Sequence, residues 1–300
     1  MDRRTIDIAG AERAYWTAKP ARVDAPLLLV FHGSGIDGPR MAAWTGLADR
    51  GPEAGFTTVF PDAAGTVSAR GALPHRMWDD TGSGRRDGLD DAGFIKSLID
   101  RLVAERQARS SPVFLVGLSN GASFAERLAR HGLVSAAGIA LIAGTARAAS
   151  RGAQPHPARA TALLCMAGTA DRVAPYEGGR ARGLMGYLAR RRSRQILLDR
   201  GGREAIAVET LAADWAATNG CDPHPYAEPV VGAAGEPGGV RLTWGAPGRP
   251  QVIVYRLDGA GHGWPGGPQY APAFLVGRIP RQPDATGVVL DFARGIAGLA

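Results

Sequence analysis

The chain reads as an α/β protein with a mostly parallel central sheet and helices on both faces, and three observations lead there. Short unbroken apolar runs, such as residues 27–31 and 113–116, fit strands buried on both sides rather than strands with one wet face. These runs alternate along the chain with stretches of helical periodicity, the pattern of parallel strands joined by helical crossovers. A chain of 300 residues, 45% hydrophobic and 21% charged, can bury a core large enough for such layers.

In chain order, residues 5–8 and 13–17 read as short edge strands, 27–31 as the first buried strand, 39–50 as a helix and 57–60 as a strand ended by Pro61. Residues 62–88 are rich in Gly, Asp and Arg with little periodicity, which predicts a long surface loop at the rim of a cleft. Phe94, Ile95, Leu98, Ile99, Leu102 and Val103 share one helical face, so the spacing predicts a helix over 88–109. A strand at 113–116, a helix at 122–130 and strands at 138–142 and 162–166 follow. A short helix at 183–188 precedes an arginine run, and 204–219 is helical, with Leu211 and Trp215 one turn apart and Asn219-Gly220 as the stop. The last strands fall at 240–244 and 251–257, and Asp284 caps a final helix through Ile296. There is no internal repeat, and the Gly/Pro stretch 227–239 runs straight into strand signals. Residues 1–300 are therefore expected to form one domain, with 62–88 and 176–203 as its rim or lid.

The formal charge of +7 and sequence pI near 10.0 raise the question of an acidic partner. Lysine occurs only at Lys19 and Lys96, and the arginines are scattered; the densest run, 190–192 with Arg194, suits a solvated helix C-terminus. No nucleic-acid partner is expected. Apolar runs stay far below the ~18 residues of a membrane span, so no membrane partner is expected either. The start, Met1-Asp2-Arg3-Arg4, shows no export signal, which predicts a cytoplasmic chain as it stands; a chain trimmed of a leader, and so secreted, would read the same way. Cys165 and Cys221 offer no disulfide framework and no thiolate metal site.

Gly117-Leu118-Ser119-Asn120-Gly121 matches G-x-S-x-G between a strand and a helix, the context that gives the motif meaning. A serine there projects above the sheet edge but needs a base, itself oriented by a carboxylate. In this architecture the order is Ser, Asp, His. His262 lies in a glycine-flanked loop just after the strand 251–257, whereas His224 sits between two prolines away from any strand end. Asp171 follows the strand 162–166 through a short loop, and Asp258 is its rival. Donors for a developing oxyanion are expected from the backbone N–H of Asn120 and, in the loop His32-Gly33-Ser34-Gly35, from Ser34. His32 itself reads as a structural anchor of that loop. The same loop offers a competing reading, because Gly33, Gly35 and Gly38 spell G-x-G-x-x-G after a strand and Asp62 ends the next one, as in a dinucleotide site.

Taken together, His32-Gly33-Ser34-Gly35, Asp90-Asp91-Ala92-Gly93-Phe94-Ile95, Gly117-Leu118-Ser119-Asn120-Gly121, Gly168-Thr169-Ala170-Asp171 with Val173 and Pro175-Tyr176, Trp215 with Asn219-Gly220-Cys221, and Gly261-His262-Gly263-Trp264-Pro265-Gly266 resemble the polyhydroxybutyrate depolymerase and feruloyl esterase type of α/β-hydrolase. The resemblance runs from about residue 27 to residue 267. It implies a serine esterase without cofactor or metal, acting on small or oligomeric hydroxyalkanoate or aromatic-acid esters. Ala167 and Ala122 stand where such proteins more often carry histidine and glycine, and no cysteine follows Cys221 to pair with it. Those departures keep a non-catalytic binding protein on the same scaffold as an alternative. Trp264 and Trp78 are expected to line the acyl pocket. Asp90 and Asp91 are expected to stabilise a helix N-terminus.

Overall fold

The computed structural model describes residues 1–18, 22–66, 75–82, 88–148, 156–182, 204–246 and 249–299. The predicted helix 183–188, the arginine run after it and much of the loop 62–88 fall outside these. The strands are β1 (Asp2–Ile8), β2 (Ala11–Thr17), β3 (Ala25–Phe31), β4 (Thr57–Pro61), the two-residue pair β5 (Gly65–Thr66) and β6 (His75–Arg76), β7 (Ala108–Leu118), β8 (Gly138–Ile142), β9 (Ala162–Gly168), β10 (Tyr226–Val230), β11 (Gly239–Trp244) and β12 (Val252–Leu257). Ten of them form one sheet in the order β1-β2-β4-β3-β7-β8-β9-β12-β11-β10. The pairs from β4 through β3, β7, β8 and β9 to β12 are parallel, and both flanks are antiparallel.

The helices described are α1 (Gly38–Thr45), α2 (Leu47–Glu53), α3 (Asp91–Ala104), α4 (Asn120–Arg130), α5 (Val208–Asn219), α6 (Ala273–Val276) and α7 (Ala285–Ala297). The core splits into two layers. Phe94 and Leu98 of α3, Phe124 and Leu128 of α4, and Leu211 and Trp215 of α5 pack on one sheet face; Met41, Leu47, Val289 and Leu290 from α1, α2 and α7 pack on the other. This is the expected double cover.

Several boundaries differ from the sequence reading for visible reasons. The helix expected over 39–50 is two helices, because Gly46 adopts the left-handed conformation at φ 64° and breaks the ladder. The helix expected over 88–109 ends at Ala104, and Arg106 turns the chain at φ 56° into β7, which is much longer than its apolar centre. The Gly/Pro stretch hides β10, whose Pro229 is tolerated in this edge strand. Asp284 caps α7 as expected, its carboxylate accepting from Thr286 N and Gly287 N at 3.2 Å each.

Two buried polar contacts tie the helices to the site. Asp91 does more than complement a helix dipole: Arg13 of β2 reaches its Oδ1 at 2.7 Å while Asp79 N donates to its Oδ2 at 2.9 Å. Glu126 Oε1 accepts from Arg130 Nε at 2.6 Å and from Trp215 Nε1 at 3.1 Å, joining α4 to α5, and burial raises the Glu126 carboxyl above its ordinary range.

Candidate active site

β7 passes into α4 at Ser119, whose backbone sits at φ 56° and ψ −117°. A residue with a side chain held there carries strain of about 1–3 kcal/mol, so the surroundings must over-determine it. They do so by close packing: a Cβ on Gly117 would stand 2.3 Å from the Gly121 backbone, and one on Gly121 would stand 2.4 Å from Phe31 O. Ser119 N also donates to Ile142 O at 2.9 Å, and Ser119 O accepts from Ala122 N at 3.0 Å. The turn lifts the hydroxyl above the carboxyl ends of the strands.

Asp171 and His262 arrive from the neighbouring pair β9 and β12, and their loops are laced together. Ala170 N donates to Ala260 O at 2.9 Å, Gly259 N to Thr169 Oγ1 at 2.9 Å, and His262 N to Val276 O at 2.6 Å. Asp171 is 5% exposed; its Oδ1 accepts from Val173 N at 2.7 Å and Ala174 N at 2.8 Å, which fixes the carboxylate and leaves Oδ2 for His262 Nδ1 at 2.8 Å. The other ring nitrogen, Nε2, lies 2.9 Å from Ser119 Oγ. The structure therefore brings the three sequence-nominated residues into one chain of hydrogen bonds, with the Asp171 carboxylate as acceptor at Nδ1 and the serine hydroxyl at Nε2. The rivals stand apart: His224 is exposed, and Asp258 pairs with Arg256 at 3.3 Å.

The loop after β3 closes the site on another side. A Cβ on Gly33 would lie 3.5 Å from Ser119 Cβ. Among the described residues, the backbone N–H groups of Ser34 and Asn120 make no hydrogen bond. His32 holds this loop, donating from Nδ1 to Gly33 O at 2.8 Å and accepting at Nε2 from Ala63 N at 3.0 Å. Burial lowers its pKa from 6.5, and the bond from Ala63 requires a neutral ring. The folded state thus binds a proton less readily than the unfolded state, so stability is present above about 6.5 and is lost as pH falls below it. Over that acidic window this one group steepens the loss of unfolding free energy by up to about 1.4 kcal/mol per pH unit. Urea midpoints measured across the window show that part of the slope disappearing in His32→Gln.

Both indoles expected in the acyl pocket are instead core residues, a correction with a plain cause. Trp78 is 1% exposed, stacked on Phe124 with ring centroids 4.9 Å apart, and its Nε1 donates to His32 O at 3.1 Å. Asn120 grips its backbone, Oδ1 accepting from Trp78 N at 2.7 Å and Nδ2 donating to Trp78 O at 3.2 Å. Trp264 is 2% exposed and donates to Thr286 Oγ1 at 3.0 Å. Trp78→Ala therefore lowers unfolding free energy by about 3–5 kcal/mol, read from urea denaturation; a mere loss of substrate affinity at unchanged stability would restore the pocket assignment.

A cavity of about 190 Å³ at Ser119 and His262 is lined instead by Ile36, Arg40, Trp44, Leu118 and Tyr270. Arg40 and Trp44, four residues apart on α1, were within reach of helical spacing; Tyr270 was not, because only the folding of the strap after His262 brings it there. A larger cavity of about 730 Å³ lies against α7 and β12, among residues such as Phe292, Ile253 and Arg241, away from Ser119. Asp62 is committed to packing: Gly38 N donates to its Oδ1 at 2.7 Å and Trp16 Nε1 to its Oδ2 at 3.3 Å. Asp37 caps α1 by accepting from Arg40 N at 3.0 Å, placing a carboxylate where a dinucleotide would need open N–H groups. No cluster of metal-ligating side chains occurs among the described residues, and none of their helices is long and apolar enough to cross a membrane.

No family model matches the chain. It is 27% identical over 302 residues to the protein described as "Putative esterase NocK" of Nocardia uniformis subsp. tsuyamanensis, covering 97% of this chain and 82% of that one. Among solved structures it is similar to esterase PE8 (TM-score 0.51, 16% identity, 94% of this chain and 97% of the other) and to acetyl xylan esterase from Aspergillus awamori (TM-score 0.54, 13% identity, 87% and 94%). The chain has the α/β-hydrolase fold.

Proposed function

We propose that this fold works here as a serine carboxylic-ester hydrolase, and the observation that carries the reading is the continuous hydrogen-bonded line from Ser119 Oγ through His262 to Asp171. Ser119 Oγ forms a bond to the ester carbonyl carbon as its proton passes to His262 Nε2. Asp171 keeps the ring in the required tautomer and stabilises the imidazolium. The N–H groups of Ser34 and Asn120 hold the carbonyl oxygen as it becomes an oxyanion, each donor worth about 10²–10³ in rate. Collapse breaks the ester C–O bond, and the alcohol leaves with the proton from His262. Water, deprotonated by the same ring, then attacks the acyl-serine, and the carboxylic acid departs as Ser119 recovers its proton.

The cavity of about 190 Å³ suits a short acyl or small aryl group better than a long chain. Small or oligomeric esters of the hydroxyalkanoate or aromatic-acid kind are accordingly the substrates proposed. The described relatives named as esterases support the ester class, and a single domain with Ser119 at its centre is part of the same proposal. A fluorophosphonate probe tests it: stoichiometric labelling mapped to Ser119 by mass spectrometry is the expected result. Absence of labelling in folded protein would favour a ligand-binding member of the fold.

A further inference from the structure

We infer that Arg40 gives the cavity beside Ser119 a preference for esters carrying an anionic group, such as a carboxylate set apart from the scissile bond. This rests on the esterase reading above and narrows its substrate class.

The argument begins with α1. Asp37 caps it and Pro39 opens it, which fixes the first turn and places Arg40 and Trp44, four residues apart, on one side of the helix. Both line the cavity at Ser119 and His262. Trp44 stacks on Tyr270 with ring centroids 4.8 Å apart and planes inclined by 24°, making a flat apolar wall from two distant parts of the chain. Beside that wall lies Arg40, an exposed residue that also lines the cavity.

The charges around it have other commitments. Among the described residues Arg40 has no ion-pair or side-chain hydrogen-bond partner, whereas Arg13, Arg50, Arg106, Arg130 and Arg147 each pair with a carboxylate. Arg76 and Arg172, which also reach loops around the site, spend donors on the backbone carbonyls of Ala63 and Phe274. Among the described residues no carboxylate lines the cavity. Asp62 and Asp171 are each 5% exposed with both oxygens taken, and Asp37 faces the N–H of Arg40. Burial, with Asp171 nearby, pushes the Tyr270 phenol up to about 12, so it adds a neutral donor and no negative charge near pH 7. A half-enclosed site with one unspent cation and an apolar wall discriminates between an anionic ester and its neutral isostere, and the planar fork of arginine suits a carboxylate in particular.

The test compares kcat/KM for two matched pairs, one with the charge on the acyl side (monomethyl adipate against methyl hexanoate) and one with it on the alcohol side (4-acetoxybenzoate against phenyl acetate). In the wild type the charged member of at least one pair is favoured about tenfold, a difference worth roughly 1.4 kcal/mol. The advantage sits mainly in KM and shrinks as salt is added. Arg40→Gln removes it and Arg40→Lys keeps part of it; because each ratio is taken on one preparation, partial unfolding cancels. A wild type that favours neither charged ester, or an Arg40→Gln ratio unchanged in both pairs, overturns the inference while leaving the esterase reading standing. Ser119→Ala assayed on the same esters separates the two: if it turns them over like wild type, the esterase reading itself falls.

Discussion

Replacing Ser119 by alanine lowers ester turnover by about 10⁴ or more, with the fold intact. The expectation follows from how much of the reaction this one atom carries. In the proposed reaction its Oγ forms the covalent bond and delivers the proton of the first step to a base already 2.9 Å away. Alanine also fits the left-handed turn no worse than serine does, since both carry a Cβ and the packing of Gly117 and Gly121 against the elbow is untouched. Far-ultraviolet circular dichroism and urea midpoints should therefore match the wild type while nitrophenyl butyrate hydrolysis collapses. Retention of more than about a tenth of the activity would exclude Ser119 as the nucleophile. His262→Ala should fall almost as far without adding to the serine loss in the double variant, because the two act as one unit.

Arg13→Ala has an expected effect on stability as large as that of Trp78→Ala, a loss of about 3–5 kcal/mol in unfolding free energy. Both partners of this pair are shut away from water, with side-chain exposures of 3% for Arg13 and 0% for Asp91, so removing the cation leaves a buried carboxylate without its counter-charge, though Asp79 N still donates to its Oδ2. Arg13 also lies over the Phe94 ring, its guanidinium carbon 4.2 Å from the centroid, and donates to Asp62 O at 3.4 Å. The deletion thus takes packing and a second hydrogen bond along with the charge. Chemical denaturation measures the change. A loss below about 1 kcal/mol would place the pair with surface ion pairs in energetic weight. The double variant Arg13→Met with Asp91→Leu should recover much of the loss, since no charge is then left buried alone.

The parts of this molecule legible in the sequence are those fixed by local chemistry. The buried runs of β3, β7, β8 and β9 announce themselves because a strand covered on both faces has no polar alternation to blur it. The candidates Ser119, Asp171 and His262 were legible for a related reason: Ser119 follows its strand directly and the other two follow theirs through short loops, and strand ends in a parallel sheet converge on one edge. Trp78 and Trp264 were not. A tryptophan serves equally as a pocket wall or as core, and only the partners Phe124, His32 and Thr286 decide between them. Asp91 was legible only in part: it stands in the first turn of α3 as expected, but a carboxylate there suits the dipole whether or not an arginine from 78 residues earlier is waiting for it. Tyr270 had no sequence signal at all; its stacking on Trp44 depends on how the strap from His262 to Arg278 folds back.

The lacing of the loops after β9 and β12 holds Asp171 and His262 to one another by hydrogen bonds that Ser119 does not share. Asp171 and His262, the proposed orienting carboxylate and base, hang from adjacent strands cross-tied at residues 169–170 and 259–260, while Ser119, the proposed nucleophile, rides on β7 beyond β8. Ser119 is also tied across the sheet, through Ser119 N to Ile142 O and Ala143 N to Met166 O at 2.9 Å each, so a change in twist between β7 and β12 is shared between those bonds and the contact from serine to imidazole. The alignment of serine and imidazole thus depends on the ladders that join β7 through β8 and β9 to β12.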